Sequence, residues 1–196
     1  MNRVNIAQII IIVFTIVALV AFFLPYISAT DDFRAYINKH ADEKVYSTVD
    51  LTIGDMADMS LFTYGHVYFQ GGEEVLRSKE SGIFYGVLIF SVAGFALLVL
   101  LAAWGKKPIL TLILDFLMVS AFYLINWDFV DRGIMPDSRR AWAISYNLYY
   151  PLAAIIAICA IWMIIEKRRA KRECYRHFIL AKNSRCMLSE APTDSV

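Results

Sequence analysis

Residues 83–104 read IFYGVLIFSVAGFALLVLLAAW, a run without a single charge. As an α-helix rising 1.5 Å per residue it is about 33 Å long, enough to cross a hydrocarbon core of about 30 Å. A soluble helix keeps a polar face, and this one has none. Working outward, three further runs share its character. Residues 6–27 have only Gln8 and Thr15 as clearly polar side chains before Pro25, residues 109–126 carry one charge, Asp115, and residues 148–165 carry none. Pro151 falls in the first turn of the last run, where a missing N–H costs little. The expected fold is an all-α integral membrane protein: a four-helix transmembrane bundle in residues 1–166, with outer loops 28–82 and 127–141, and a basic tail in 167–196.

Composition agrees. The chain is 59% hydrophobic and 19% charged, against roughly 45–50% and about 25% in soluble domains. The first run is preceded by Arg3 and followed by small residues, as a secretory signal is. Signal cores run about 7–15 apolar residues; this run is longer and is expected to stay on the chain as a helix.

Lys and Arg accumulate on the cytoplasmic side of membrane proteins. The N-terminus, the turn 105–108 and the tail hold Arg3, Lys106, Lys107, Lys167, Arg168, Arg169, Lys171 and Arg172, whereas residues 28–82 hold ten acids against five bases. Both termini are therefore expected in the cytoplasm, in a plasma (cytoplasmic) membrane. Trp104, Trp127, Trp142, Tyr146, Tyr149 and Tyr150 lie at span ends, as interfacial aromatics do. Lys167, Arg168, Arg169, Lys171 and Arg172 are positioned to face lipid headgroups, although a stop-transfer signal alone accounts for them. Residues 185–196 read as a disordered end.

The loop 28–82 is too long and too apolar for a plain connector. Residues 45–53 alternate, with Val45, Val49, Leu51 and Ile53 on one face, and residues 61–70 are rich in aromatic and β-branched side chains before Gly71-Gly72. The expectation is a small antiparallel sheet. The rival is an amphipathic helix through Met56, Met59, Thr63 and Val67. Phe62, Tyr64, His66, Tyr68 and Phe69 are the loop's candidates for interaction, with packing as the plainer reading.

Asp115 is the most informative residue. It lies about seven residues, or about 10 Å, inside the third run. A charged Asp at the bilayer centre costs roughly 2.5–3.5 kcal/mol on insertion scales, so it is expected to face the bundle. Cys159 and Ile12 lie at about its level, and Thr15 one turn deeper. Its plainer role is a carboxyl hydrogen-bonded in the bundle or touching a partner; its sharper role is a proton or cation site.

No phosphate-binding loop, zinc-protease motif, nucleophile elbow or Cys-x-x-Cys is present. His40, His66 and His177 are isolated, so no metal, cofactor, catalytic residue or nucleic-acid partner is expected. The layout of a long first outer loop, a short inner turn and a shorter second outer loop resembles that of the claudin and peripheral-myelin-protein tetraspans. The resemblance is one of layout, because residues 28–82 lack that family's Trp and disulfide cysteines. Two functions remain. One is a non-enzymatic membrane protein whose ordered outer loop engages a partner, a membrane protein or a second copy, or supports a membrane assembly. The other is a small transporter or channel that uses Asp115.

Overall fold

The computed structural model describes residues 3–133, 137 and 139–189, with 174–189 described as helical backbone only. Its elements are α1 (Arg3–Ala21), β1 (Pro25–Ala29), α2 (Asp31–Lys39), a 3-10 turn (Gly54–Ala57), β2 (Asp58–Ser60), α3 (Leu61–Leu76), α4 (Lys79–Trp104), α5 (Pro108–Asp131), β3 (Arg140–Trp142) and α6 (Ile144–Ser189). Four of them, α1, α4, α5 and the first part of α6, are long and apolar enough to cross a membrane.

The four long helices pack as a bundle through narrow stripes. On α1, Ala7, Ile11, Thr15 and Ala18 are buried at helical spacing. They meet α6, whose Ser145 and Tyr149 hydroxyls donate to the Ala21 and Ala18 carbonyls at 2.7 and 3.0 Å. The outward faces stay apolar: Leu101, Phe116 and Ile158 are 67%, 70% and 65% exposed. Water would penalise such a surface, whereas lipid would not.

Several boundaries differ from the sequence reading. The first helix stops at Ala21, and residues 25–27 belong to β1 rather than to the span. Pro25 donates no backbone hydrogen bond and turns its predecessor away from the helical region. The third helix runs on to Asp131 and takes residues 127–131 from the expected loop. An Asp128–Arg132 ion pair at i, i+4 supports that last turn. The fourth helix starts at Ile144, so Pro151 lies two turns inside it and not in the first turn. That helix also continues through the basic segment to Ser189, into the stretch read as a disordered end; residues 190–196 lie outside the described residues.

At one end of the bundle sits a cap. Its sheet has the order β2-β1-β3, antiparallel throughout, pairing Ile27 with both Met59 and Trp142. A small sheet was expected, but from other residues. Residues 45–53 contribute only an isolated Lys44–Thr52 bridge, and residues 61–70 are helical. The helix begins where Ser60 Oγ accepts from Thr63 N at 3.1 Å, an N-cap that ends β2 and starts α3. The rival helix was also misplaced: Met56 and Met59 precede α3, and only Thr63 and Val67 lie in it.

α3 folds back antiparallel along α4, and glycines set the spacing. A Cβ added at Gly72 would lie 2.6 Å from the Gly82 Cα, and one at Gly65 would lie 2.6 Å from the Phe90 ring. The two backbones therefore touch without intervening side chains.

Candidate functional site

The helical form of α3 divides the aromatic run. Phe62, His66 and Phe69, at i, i+4 and i+7, are exposed, and the Phe62 and His66 rings stack with centroids 6.3 Å apart. Tyr64 and Tyr68, at i and i+4 on the other side, are buried. A strand would have placed Phe62, Tyr64, His66 and Tyr68 together on one face. The exposed stripe continues onto Phe23, whose ring lies 5.2 Å from that of Phe62.

Behind that stripe the cap is tightly bonded. Tyr26 is fully buried, with ring centroids of Tyr64, Phe122, Phe129, Trp142 and Tyr146 within 6.4 Å. Its hydroxyl donates to Asn126 Oδ1, and Asn126 Nδ2 donates to the Tyr150 hydroxyl at 2.9 Å. Burial raises the pKa of Tyr26, and also that of Tyr68, so both remain phenols. Arg132 lies over the Tyr85 ring at 4.5 Å and donates to the Tyr68 hydroxyl at 3.2 Å. Of this network the sequence singles out Tyr64 and Tyr68 in the loop and Trp142, Tyr146 and Tyr150 at span ends, but not Tyr26, Asn126 or Arg132, because the members that meet are far apart in the chain.

Two carboxylates fasten the loop between α2 and α3. Asp58 accepts both Arg34 guanidinium nitrogens at 3.0 Å and the Ser28 hydroxyl at 2.6 Å. Glu74 accepts the backbone N–H and the hydroxyl of both Ser47 and Thr48. Arg34 is the largest influence holding the Asp58 pKa below the ordinary carboxylate value, and the Ser47 N–H is the largest for Glu74. A lowered carboxylate pKa contributes stability above its unfolded value, and that contribution is lost as pH falls through the folded value. Hydrogen exchange at Ser47 and Thr48 is expected to be slow at neutral pH and to speed up below about pH 4, beyond the intrinsic pH trend. Protection that persists unchanged to pH 2–3 would refute the Glu74 clamp.

The bundle candidates Asp115, Thr15 and Cys159 are all buried, but among the described residues no hydrogen bond joins them. Thr15 Oγ1 donates to its own helix at Ile11 O, 2.7 Å away. Asp115 is 3% exposed, and its Oδ1 has no hydrogen-bond partner among the described residues. The expected hydrogen-bonded carboxyl is thus not formed at that oxygen. Leaving such an atom unpaired costs about 1–3 kcal/mol. Asp115 lines an open, apolar groove of about 710 Å³ between α5 and α6, with Phe116, Tyr150, Ala153, Ala154 and Ala157.

At the opposite end from the cap, Lys167, Arg168, Arg169, Lys171 and Arg172 are exposed along α6. Lys106, Lys107, Lys167 and Arg168 border a second groove of about 590 Å³ floored by Ile109, Ile113 and Ile164. Glu166 tempers this charge, pairing with Arg169 at 3.3 Å and Arg3 at 3.7 Å. The side chains of Cys174, His177 and Cys186 lie outside the described residues. Among the described residues no cluster of His, Cys, Asp and Glu could hold a metal ion. No known protein family, curated protein or solved structure matches this chain.

Proposed function

We propose that this chain is a non-enzymatic, four-span protein of the plasma (cytoplasmic) membrane, with both termini in the cytoplasm. In this reading the cap is extracytoplasmic and engages a membrane-protein partner. The observation that carries it is the exposed aromatic stripe Phe62-His66-Phe69 on a helix whose other side buries Tyr64 and Tyr68, the latter bonded to Arg132. A rigid aromatic surface binds at low entropic cost, because its side chains have little freedom left to lose. The transporter alternative draws on Asp115 alone. Transporters place several polar groups and broken helices at the membrane midplane. Here α4 and α5 are unbroken, and Thr15 is satisfied within its own helix.

Orientation is tested with a membrane-impermeant thiol reagent. In intact cells a Cys introduced as Glu73→Cys, on the exposed side of α3, is expected to be labelled, and Cys174 and Cys186 to be protected. The reverse pattern refutes the topology. The partner role is tested by co-purification in mild detergent. Phe62→Glu with Phe69→Glu should shed a partner that the wild-type chain retains, at a temperature where both proteins are shown by thermal melting to be folded. Ion or proton flux in reconstituted liposomes that disappears in Asp115→Asn would refute this reading and support transport.

A further inference from the structure

We infer that the α5–α6 groove is the docking site for a transmembrane helix of another protein, one that carries a lysine or arginine about two turns from the basic end of the bundle. This rests on the partner-binding reading above and adds a second site and the chemistry of its occupant.

The groove has both the shape and the unmet polar group that such a helix needs. Ala153, Ala154 and Ala157 make one wall of small side chains, which lets an incoming backbone come close. The lining runs from Leu112 to Val119 on α5 and from Tyr150 to Ala157 on α6, about 10 Å along each axis, or two turns of a helix. Between them Asp115 is almost wholly buried; it lines the groove, and its buried Oδ1 has no hydrogen-bond partner among the described residues. The Tyr150 hydroxyl at the other end already accepts from Asn126.

Depth and charge select the occupant. Asp115 is seven residues beyond Pro108, about 10 Å from the Lys106-Lys107 turn. At that depth a phospholipid offers only hydrocarbon and cannot supply a donor. A second copy of this chain offers no cation either. Residues 4–21, 80–104, 108–131 and 144–166 contain no Lys or Arg. A lysine or arginine on a different chain's helix would complete the buried carboxyl. Its flexible aliphatic stem would lie along Ile113 and Phe116.

The test uses the full-length protein in bicelles, labelled with a fluorescence donor, and acceptor-labelled Leu/Ala helices of about 20 residues. One helix carries a single Lys about seven residues from its cytoplasmic end, and the control carries Leu there. The Lys helix is expected to bind about tenfold more tightly, the scale of one strong interhelical polar contact. Asp115→Leu should erase that preference. Ala154 is exposed, so Ala154→Trp should fill the groove without disturbing the fold and weaken binding of the Lys helix to the level of the control. Equal binding of the two helices, a Lys preference that survives Asp115→Leu, or indifference to Ala154→Trp each overturns the inference. If Asp115→Leu does not fold, Ala154→Trp still decides. Association of labelled copies with each other, blocked by Ala154→Trp, also overturns it, because the occupant is then a second copy. These failures are separable from failure of the cap reading, which is scored by Phe62→Glu with Phe69→Glu and does not involve the groove.

Discussion

Gly82→Ala is expected to destabilise the protein by about 3 kcal/mol, and Gly82→Val by more, at the upper end of overpacking costs. A Cβ built at Gly82 would lie 2.4 Å from the Gly72 Cα and 2.6 Å from the Tyr68 carbonyl oxygen. Both neighbours are backbone, so no side chain can rotate away. The clash can be relieved only by separating α3 from α4, and α3 carries the exposed aromatic stripe. Gly94→Ala is the control. It lies on the same helix, but its added Cβ has nothing within 4 Å. Replacing a mid-helix glycine there should be neutral or stabilising by up to about 1 kcal/mol. Thermal or denaturant unfolding in detergent separates the two. Equal stability of Gly82→Ala and Gly94→Ala would show that α3 does not pack on α4 as described. Gly82→Ala should also speed hydrogen exchange across residues 61–76 while leaving α1 and α6 protected.

Tyr26→Ala is expected to cost about 3–5 kcal/mol, the range for removing a large buried aromatic side chain. Tyr26 joins three parts of the molecule. Its backbone lies in the central strand, its ring is enclosed by α3, α5 and α6, and its hydroxyl donates to Asn126. Tyr26→Phe separates these contributions. It keeps the ring and removes the donor, leaving the buried Asn126 Oδ1 unpaired at a cost of about 1–3 kcal/mol. The order wild type, Tyr26→Phe, Tyr26→Ala should hold for thermal stability, with the larger step on loss of the ring. If Tyr26→Ala melted like wild type, the cap would not be anchored through this residue.

Both effects lie at the junction between cap and bundle, and the proposed partner surfaces lie on either side of it. The aromatic stripe of α3 is held at a fixed height by Gly72 and Gly82, and the sheet is held by Tyr26. The α5–α6 groove does not involve Gly72 or Gly82, although the Tyr26–Asn126–Tyr150 network reaches one end of it. A Gly82 variant should therefore impair cap-mediated binding while leaving binding of the Lys-bearing helix intact.

The sequence alone determined the four apolar helices, the buried position of Asp115 and the presence of an ordered segment between the first two of those helices. These are local properties. Hydropathy summed over about 20 residues signals a span whatever it packs against, and the cost of a charge in that setting turns it inward. Only the tertiary structure decided the cap. β1 pairs with residues 58–60 and 140–142, and no feature within five residues of Pro25 encodes a partner more than a hundred positions away. Residues 61–70 alternate well enough to read as a strand. They fold as a helix because Ser60 caps them and because Gly65 and Gly72 let that helix lie against α4, burying Tyr64, Val67 and Tyr68 together. The missing partner for Asp115 Oδ1 is likewise a tertiary fact. Depth counting brings Cys159 to its level and Thr15 one turn deeper, but in the packed helices the Thr15 hydroxyl bonds to Ile11 and Asp115 lines a groove.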